Sequence, residues 1–450
     1  MKQSIVSVRP QGRGWVATAA AGMMALCLGQ TCMAQAVTCR VEPLKSVMAA
    51  DTSETMMVRV SLKGGEVPLT QRAPINLCLV IDRSGSMRGD RIAHAKEAAI
   101  AAVERLTPKD IVSVVIFDQE VETIVPAQFA QDKAFIANAI RQVYSRGSTA
   151  IFGAMAQAAA EIRKNAHREY LNRIILLSDG RANIGPSQSD DFGRLGVSLA
   201  KEGISTSTVG VGLDFNEDLM TSLAGRSDGN SYFVENSDDL SRIFSSELGT
   251  ALNVAARNIS LRIAFASGTT PLEIVGREGS INGGTVTLDF NQLYGGQEKY
   301  VLIRTAFSPG QDKTSRQVAT ANVKYVDAAT SRLEQLSATG SIRFSRDSDL
   351  ARRSVNTDVL RDAELNENAI AVEKAIRLVD EGKTKEAADV FSAQAERLER
   401  ISEVYDMPEL RKSAARQLSN ADGASRGNFD ARARKENVQA EYEVMNQQTR

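Results

Sequence analysis

Residues 77–87, LCLVIDRSGSM, decide the fold of this chain. The apolar run before Asp82 shows no alternation between apolar and polar residues, which is typical of a strand with both faces buried in a parallel sheet. The run ends directly in a short polar loop, and a helical pattern follows. In an open parallel sheet, this position is the carboxyl edge of a central strand, where ligands bind.

The surrounding chain, from residue 75 to about residue 253, alternates short apolar runs with helical patterns. This alternation predicts a doubly wound α/β domain, in which helices cover both faces of a parallel sheet. Residues 121–125 follow a short turn and are predicted to form an antiparallel edge strand. The other predicted strands are 75–81, 111–117, 173–177, 204–211 and 231–234. The helical patterns lie at about 90–106, 132–143, 151–166, 190–202, 216–225 and 237–252.

The two flanks of this domain have a different pattern. Residues 56–63 and about 258–345 alternate apolar and polar residues with period two, which indicates half-buried antiparallel strands. Because such strands lie on both sides of the α/β unit, we predict a β-sandwich formed by residues 37–74 and 254–346. The α/β domain, residues 75–253, is then inserted into the chain of that sandwich.

The C-terminal region, residues 347–450, has a helical pattern again. Apolar residues recur at helical spacing on both sides of Gly382, which predicts a helical hairpin. Residues 421–450 are polar and carry both charges. We expect that last segment to be either a solvated helix or a frayed tail.

The N-terminus has the pattern of a secretory signal. Basic residues precede the apolar run 15–29, and small residues follow at Ala34 and Ala36. The run of about 15 residues is shorter than the ~20 that a membrane-spanning helix needs. We therefore predict a signal peptide, residues 1–36, cleaved after Ala36, and an exported protein that is periplasmic, extracellular or envelope-associated. No later segment has the length and apolarity of a transmembrane span.

The composition excludes few classes of protein. The chain is 43% hydrophobic and 24% charged, as in ordinary soluble globular proteins. Residues 1–36 hold three basic and no acidic residues, so the mature chain would carry 51 basic and 55 acidic side chains. This balance does not favour a nucleic-acid partner, because such proteins usually carry a strongly basic surface.

Two cysteines, Cys39 and Cys78, would remain after cleavage. In an oxidising compartment they can form a disulfide. Alternatively, Cys78 is a small buried hydrophobe within its apolar strand. The sequence leaves both alternatives open.

The loop after the central strand begins a set of oxygen-bearing side chains. Asp82, Ser84 and Ser86 alternate along that loop, a second apolar strand ends at Asp179, and a third loop offers Thr149. Two carboxylates and three hydroxyls suit a hard divalent cation and suit zinc poorly. Mg²⁺ is the expected ion, with Mn²⁺ or Ca²⁺ as alternatives. Five protein donors leave one position for water or for an acidic side chain of a partner.

Three segments carry a family resemblance. LCLVIDRSGSM (77–87), RGSTAIFGAM (146–155) and LLSDGRANIG (176–185) resemble the loops of the metal-ion-dependent adhesion site in von Willebrand factor A domains. Residues 209–240 are similar to the end of that domain in bacterial members. The resemblance implies that the serines and the threonine ligate the metal directly and that the aspartates do so directly or through water. The implied ligands are Asp82, Ser84, Ser86, Thr149 and Asp179.

The flanking strands also resemble exported bacterial proteins that are described as chloride-channel-like. That label implies no channel here, since no segment of the mature chain is long and apolar enough to span a membrane.

The sequence favours a binding function over an enzymatic one. His94 and His167 both fall within helical patterns, and no nucleotide-binding glycine loop is present. We therefore expect an exported, metal-dependent adaptor that captures an Asp or Glu of a protein partner. The alternatives are a surface adhesin, a subunit docked on a larger machine, and a metal that only braces the fold.

Overall fold

The computed structural model describes residues 36–67, 72–166 and 170–448. The predicted signal peptide lies outside these residues except for Ala36, so cleavage after Ala36 stays a prediction. None of the described helices is both long and apolar enough to cross a membrane.

The described residues form sixteen strands and eleven α-helices, numbered here in chain order. The strands are β1 (Val37–Pro43), β2 (Val47–Ala49), β3 (Glu54–Gly64), β4 (Ile75–Asp82), β5 (Ile111–Phe117), β6 (Val121–Phe129), β7 (Leu171–Ser178), β8 (Ile204–Val211), β9 (Ser231–Val234), β10 (Val254–Phe265), β11 (Thr269–Val275), β12 (Ser280–Asn282), β13 (Thr285–Tyr294), β14 (Glu298–Phe307), β15 (Ser315–Asp327) and β16 (Leu333–Ser345). The helices are α1 (Asp90–Glu104), α2 (Lys133–Arg141), α3 (Ile151–Arg163), α4 (Ser189–Lys201), α5 (Glu217–Arg226), α6 (Leu240–Ala251), α7 (Ser348–Arg353), α8 (Thr357–Asp380), α9 (Thr384–Tyr405), α10 (Pro408–Ser425) and α11 (Ala431–Asn446).

The central sheet of the α/β domain has the strand order β6-β5-β4-β7-β8-β9. Its neighbours are parallel except for β6, which pairs antiparallel with β5 at the edge. All eight residues of β4 are buried. Leu77 and Leu79 belong to the hydrophobic core on one face of the sheet, and Cys78 and Val80 to the core on the other. This arrangement confirms the predicted doubly wound fold and its antiparallel edge strand.

Two further sheets pack face to face as a β-sandwich. Their strand orders are β1-β3-β14-β11 and β12-β13-β10-β15-β16-β2. Val58 and Val60 of β3 share one core with Ile259, Leu261 and Ile263 of β10. Burying each such side chain contributes about 1.5–3 kcal/mol relative to its exposed state. Strand β3 precedes the α/β domain in the chain, β14 follows that domain, and the two strands pair antiparallel. The α/β domain is therefore inserted into the sandwich.

The two cysteines belong to different cores. Cys39 packs between the sheets of the sandwich, whereas Cys78 is fully buried in the α/β domain. Both thiols are free. Burial raises the pKa of each thiol to about 12. In this structure Cys78 is therefore a buried hydrophobe and not half of a disulfide.

The C-terminal helices connect the sandwich to the α/β domain. Val359 and Ala363 of α8 pack against Met57 and Leu302 on the sheet that contains β3 and β14. The chain reverses between α8 and α9 at Gly382, whose φ of 77° is the left-handed conformation that glycine adopts without strain. The helical C-terminal region is thus confirmed.

The end of that region differs from the expectation of a solvated helix or a frayed tail. Helix α11 packs against α5 and β9, and its Tyr442 hydroxyl donates to the Gly229 carbonyl at 2.8 Å. Lys435 and Asn437 of α11 are buried as well. The expectation was wrong because this contact is made largely by polar side chains, which a hydropathy pattern does not distinguish from exposed ones.

Candidate metal centre

The loops that follow β4 and β7 meet at the carboxyl edge of the central sheet. Because the two strands are parallel neighbours, Asp82 at the end of β4 lies beside Ser178 at the end of β7. The Ser178 hydroxyl donates a hydrogen bond to the Asp82 carboxylate. The Gly85 N–H donates to the Gly147 carbonyl at 3.0 Å, which ties the first loop to the loop that carries Thr149.

Hydrogen bonds connect four of the five predicted ligands. The Ser84 and Ser86 hydroxyl oxygens are 3.0 Å apart, and the Ser86 hydroxyl donates to Asp179 Oδ1 at 2.7 Å. The Ser84 N–H donates to Asp82 Oδ1 at 2.7 Å. Two loops that are far apart in sequence thus place their oxygens in one connected group.

The fifth predicted ligand, Thr149, borders the same space. A Cβ added to Gly180 would lie 3.0 Å from Thr149 Oγ1 and 3.7 Å from Asp82 Oδ2. The threonine and aspartate oxygens therefore flank a gap that glycine leaves open. Asn183 fixes the threonine, because its side-chain oxygen accepts from the Thr149 N–H at 2.8 Å. The structure brings all five predicted residues together.

The two carboxylates of the site are both buried, with Asp82 and Asp179 each 0% exposed. The pKa of Asp82 is raised to about 7, chiefly by burial and also by the charge of Asp179. Hydrogen bonds from Ser178 and Ser84 oppose this rise. The pKa of Asp82 therefore lies above its ordinary range, although Arg91 pairs with the neighbouring Asp179. A bound cation would stabilise the ionised form of both carboxylates.

One cationic side chain reaches the site and was missed by the sequence analysis. Nη1 of Arg91, in the first turn of α1, lies 2.6 Å from Asp179 Oδ2. The Arg91 side chain is 34% exposed, so this ion pair faces solvent on one side. The available signal was the position of Arg91 one helical turn after the Ser84–Ser86 loop.

Asp118, for which the sequence analysis claimed no role, holds two of the loops in place. Its Oδ2 accepts from Arg146 Nε at 2.7 Å and lies 3.0 Å from Arg83 Nε. Arg83 belongs to the first loop and Arg146 to the loop of Thr149. Asp118 is therefore a positioning residue for the site.

The chemistry of the five side chains fits a hard divalent cation. All donors are oxygens, and two of them are carboxylates. Within residues 36–67, 72–166 and 170–448, no group of three or more His, Cys, Asp or Glu side chains could hold a metal. A centre at this sheet edge would accordingly depend on its hydroxyls, which zinc does not prefer.

Comparison with known proteins agrees with this fold. The family model of the von Willebrand factor type A domain matches residues 76–246. The protein sll0103 of Synechocystis sp. is 29% identical over 217 residues, which cover 48% of this chain and 51% of that protein. The chain thus spans about half the length of this relative.

Two solved structures have a similar overall fold. The von Willebrand factor type A protein from Catenulispora acidiphila aligns with a TM-score of 0.64 at 17% identity, covering 81% of this chain and 88% of the other. The ArnB paralog VWA2 from Sulfolobus acidocaldarius aligns with a TM-score of 0.60 at 18% identity, covering 91% and 98%. These alignments extend beyond the α/β domain to the sandwich. The family model identifies residues 76–246 as a von Willebrand factor type A (VWA) domain.

Proposed function

We propose that this protein is an exported adaptor that captures an acidic side chain of a protein partner through a divalent cation, with Mg²⁺ as the first expectation. The cation would be held by Asp82, Ser84, Ser86, Thr149 and Asp179. The observation that carries the proposal is the gathering of two fully buried carboxylates and three hydroxyls at one sheet edge.

The donor set supports capture of a partner over a closed structural site. Mg²⁺ takes close to six oxygens at about 2.0–2.1 Å, so five protein donors leave a position for one more. The two carboxylates formally balance a doubly charged ion, and Arg91, which pairs with Asp179, then leaves the site with one uncompensated positive charge. Ser86 is exposed, so the site is accessible from solvent. A carboxylate of a partner would supply both the missing ligand and the missing charge.

Export remains part of the proposal and rests on the predicted signal peptide, residues 1–36. We expect the secreted chain to begin at Val37, which N-terminal sequencing would check. Cell fractionation would distinguish a periplasmic adaptor from a surface adhesin.

Cation binding is tested by titration calorimetry with Mg²⁺ and Mn²⁺. We expect Asp179→Ala to weaken binding at least about 100-fold, because the substitution removes both a ligand and a charge that attracts the ion. Ser84→Ala removes one neutral donor and should weaken binding about tenfold. Asp214→Ala is the matched control, because Asp214 is an exposed carboxylate just after β8 at the same sheet edge. Unchanged affinity in Asp179→Ala would refute this metal site.

Capture of a partner is tested separately with the wild-type chain and Asp179→Ala as baits in envelope extract. A partner recovered by the wild-type chain should be lost in chelator, return with Mg²⁺, and be absent with Asp179→Ala. A partner recovered equally well in chelator would show that the ion only braces the fold, even if calorimetry confirms all five ligands.

A further inference from the structure

A second candidate site lies away from the metal centre, in a cavity bordered by α4, α5, the sandwich, α8 and α11. Its volume is about 1010 Å³, at the upper end of the roughly 300–1,000 Å³ of small-molecule sites. None of the five proposed metal ligands lines it. Part of its wall is apolar, from Ala200 of α4, Phe290 of β13, Ile376 of α8 and Val438 of α11.

Charged side chains on the helical wall of the cavity are mostly paired with each other. Arg434 binds Asp218 of α5 and Asp380 of α8, each at 2.8 Å. Within α8, Arg377 binds Glu373 at 2.5 Å. Each of these groups has an ionic partner, so none of them needs a ligand.

Two charged side chains toward the sandwich, Asp228 and Arg277, also have partners. Asp228 forms an ion pair with the buried Lys299 and accepts from the N–H of Asn291 at 2.7 Å. The guanidinium of Arg277 lies 4.7 Å from the centre of the Phe290 ring and donates to Gln447 at 2.9 Å. Most polar atoms of Asp228 and Arg277 thus already have a partner within the chain.

Glu441 of α11 differs from the paired groups described above. Its Oε1 atom is buried, and the described part of the chain provides no hydrogen-bond partner for it. The pKa of Glu441 is raised to about 9, chiefly by burial and also by the charges of Glu373 and Asp218, against the opposing effect of Arg434 and Arg377. At neutral pH the carboxyl is therefore protonated while the cavity holds no cation.

We propose that this cavity binds a small organic cation, namely an amine with an apolar body whose ammonium group pairs with the carboxylate of Glu441. The charge of the wall agrees, because seven acidic and five basic side chains line the cavity. An anion would be repelled by this excess of negative charge, whereas an ammonium group would both donate a hydrogen bond to Glu441 and stabilise its ionised form. The apolar side chains of the wall would contact the body of the amine.

The experiment compares three probes of similar shape on the full chain by titration calorimetry: 2-phenylethylamine, 2-phenylethanol and 3-phenylpropionate. We expect the amine to bind at least tenfold more tightly than the alcohol or the acid. Glu441→Gln should weaken amine binding at least tenfold, because the amide keeps the shape of the side chain and removes its charge. Glu396→Gln, on the exposed face of α9, is the matched control and should change nothing.

A second readout separates direct pairing from a structural role of Glu441. If the bound ammonium group ionises Glu441, amine binding near pH 7.5 releases close to one proton, which calorimetry in two buffers of different ionisation enthalpy measures. The release should disappear in Glu441→Gln. Ala200→Leu, which narrows the cavity from α4 without changing α11, should weaken amine binding while preserving the release. Equal affinity for the amine and the alcohol, or no binding of any probe at about 10 mM, would overturn the proposal.

Discussion

The metal centre and the contact of α11 with the VWA domain both bury acidic side chains, yet the two regions balance their charges differently. At the sheet edge, Asp82 and Asp179 are fully buried, and the guanidinium of Arg91 pairs with Asp179. At the α11 contact, Glu217 of α5 pairs with Lys435, and with Arg434 at 2.5 Å.

The pKa values of the acidic groups follow this difference. Burial raises the pKa of Asp82 to about 7. Burial alone would also raise the pKa of Glu217, but the adjacent Lys435 and Arg434 outweigh it and the pKa is lowered. Asp82, whose pKa is raised, thus belongs to the candidate ligand site, whereas Glu217, whose pKa the adjacent cations lower, belongs to a structural contact. By this criterion Glu441 belongs with the metal centre.

The largest effect is expected from Lys435→Met. This substitution removes one of the two cations that pair with Glu217 where α11 contacts α5. Nζ of Lys435 binds the Glu217 carboxylate and donates to the Phe215 carbonyl at 2.7 Å. Removing one partner of a buried pair costs about 3 kcal/mol, and the remaining ion pair of Glu217 with Arg434 should reduce this cost to about 2 kcal/mol. Hydrogen exchange of residues 431–446 should accelerate by about 30-fold as α11 detaches more often.

The control is Lys412→Met, at an exposed position of α10, which should leave the exchange of α11 unchanged. The double variant Glu217→Gln with Lys435→Met should recover part of the loss, because it also removes the buried charge that has lost one of its two cationic partners. An exchange rate in Lys435→Met equal to that of the wild-type chain would show that the contact does not depend on charge matching.

An intermediate effect, of opposite sign, is expected from Arg91→Ala at the metal centre. Arg91 pairs with Asp179 at 2.6 Å and so competes with a bound cation for the same carboxylate. Its removal should tighten Mg²⁺ binding about tenfold, or about 1.4 kcal/mol. Calorimetry checks this, with Arg88→Ala, an exposed arginine in the same loop, as the control. Weaker binding in Arg91→Ala would mean that Arg91 positions Asp179 instead of competing for it.

Sequence patterns predicted much more of the metal centre than of the α11 contact. The predicted ends of β4 and β7, residues 81 and 177, lie one residue before the ends in the structure, Asp82 and Ser178. Parallel pairing of the two strands brings their loops together. Arg91 and Asp118 were missed because their roles depend on distances between loops that no single segment reveals. Helix α11 was missed for a related reason, since buried Lys435 and Asn437 are indistinguishable in sequence from solvated residues.

The smallest effect concerns the pH dependence of the α11 contact and its change in Glu217→Gln. Because the folded pKa of Glu217 is lowered, its ionised form stabilises the folded chain. That stabilisation is fully present above the unfolded glutamate pKa of about 4.3, and it is lost as the pH falls through the lower folded pKa.

The free energy of unfolding of the wild-type chain should therefore be larger than that of Glu217→Gln by about 1 kcal/mol between about pH 6 and 8. Below about pH 4.5 this difference should shrink. Urea unfolding at several pH values measures it, and Glu396→Gln, which forms no ion pair with the described residues, should show no such trend. A difference that persists or grows toward low pH would mean that Glu217 acts through the shape of its side chain and not through its charge. In that case the ion pairs of Glu217 would not stabilise the packing of α11. Charge pairing would then not distinguish the α11 contact from the metal centre.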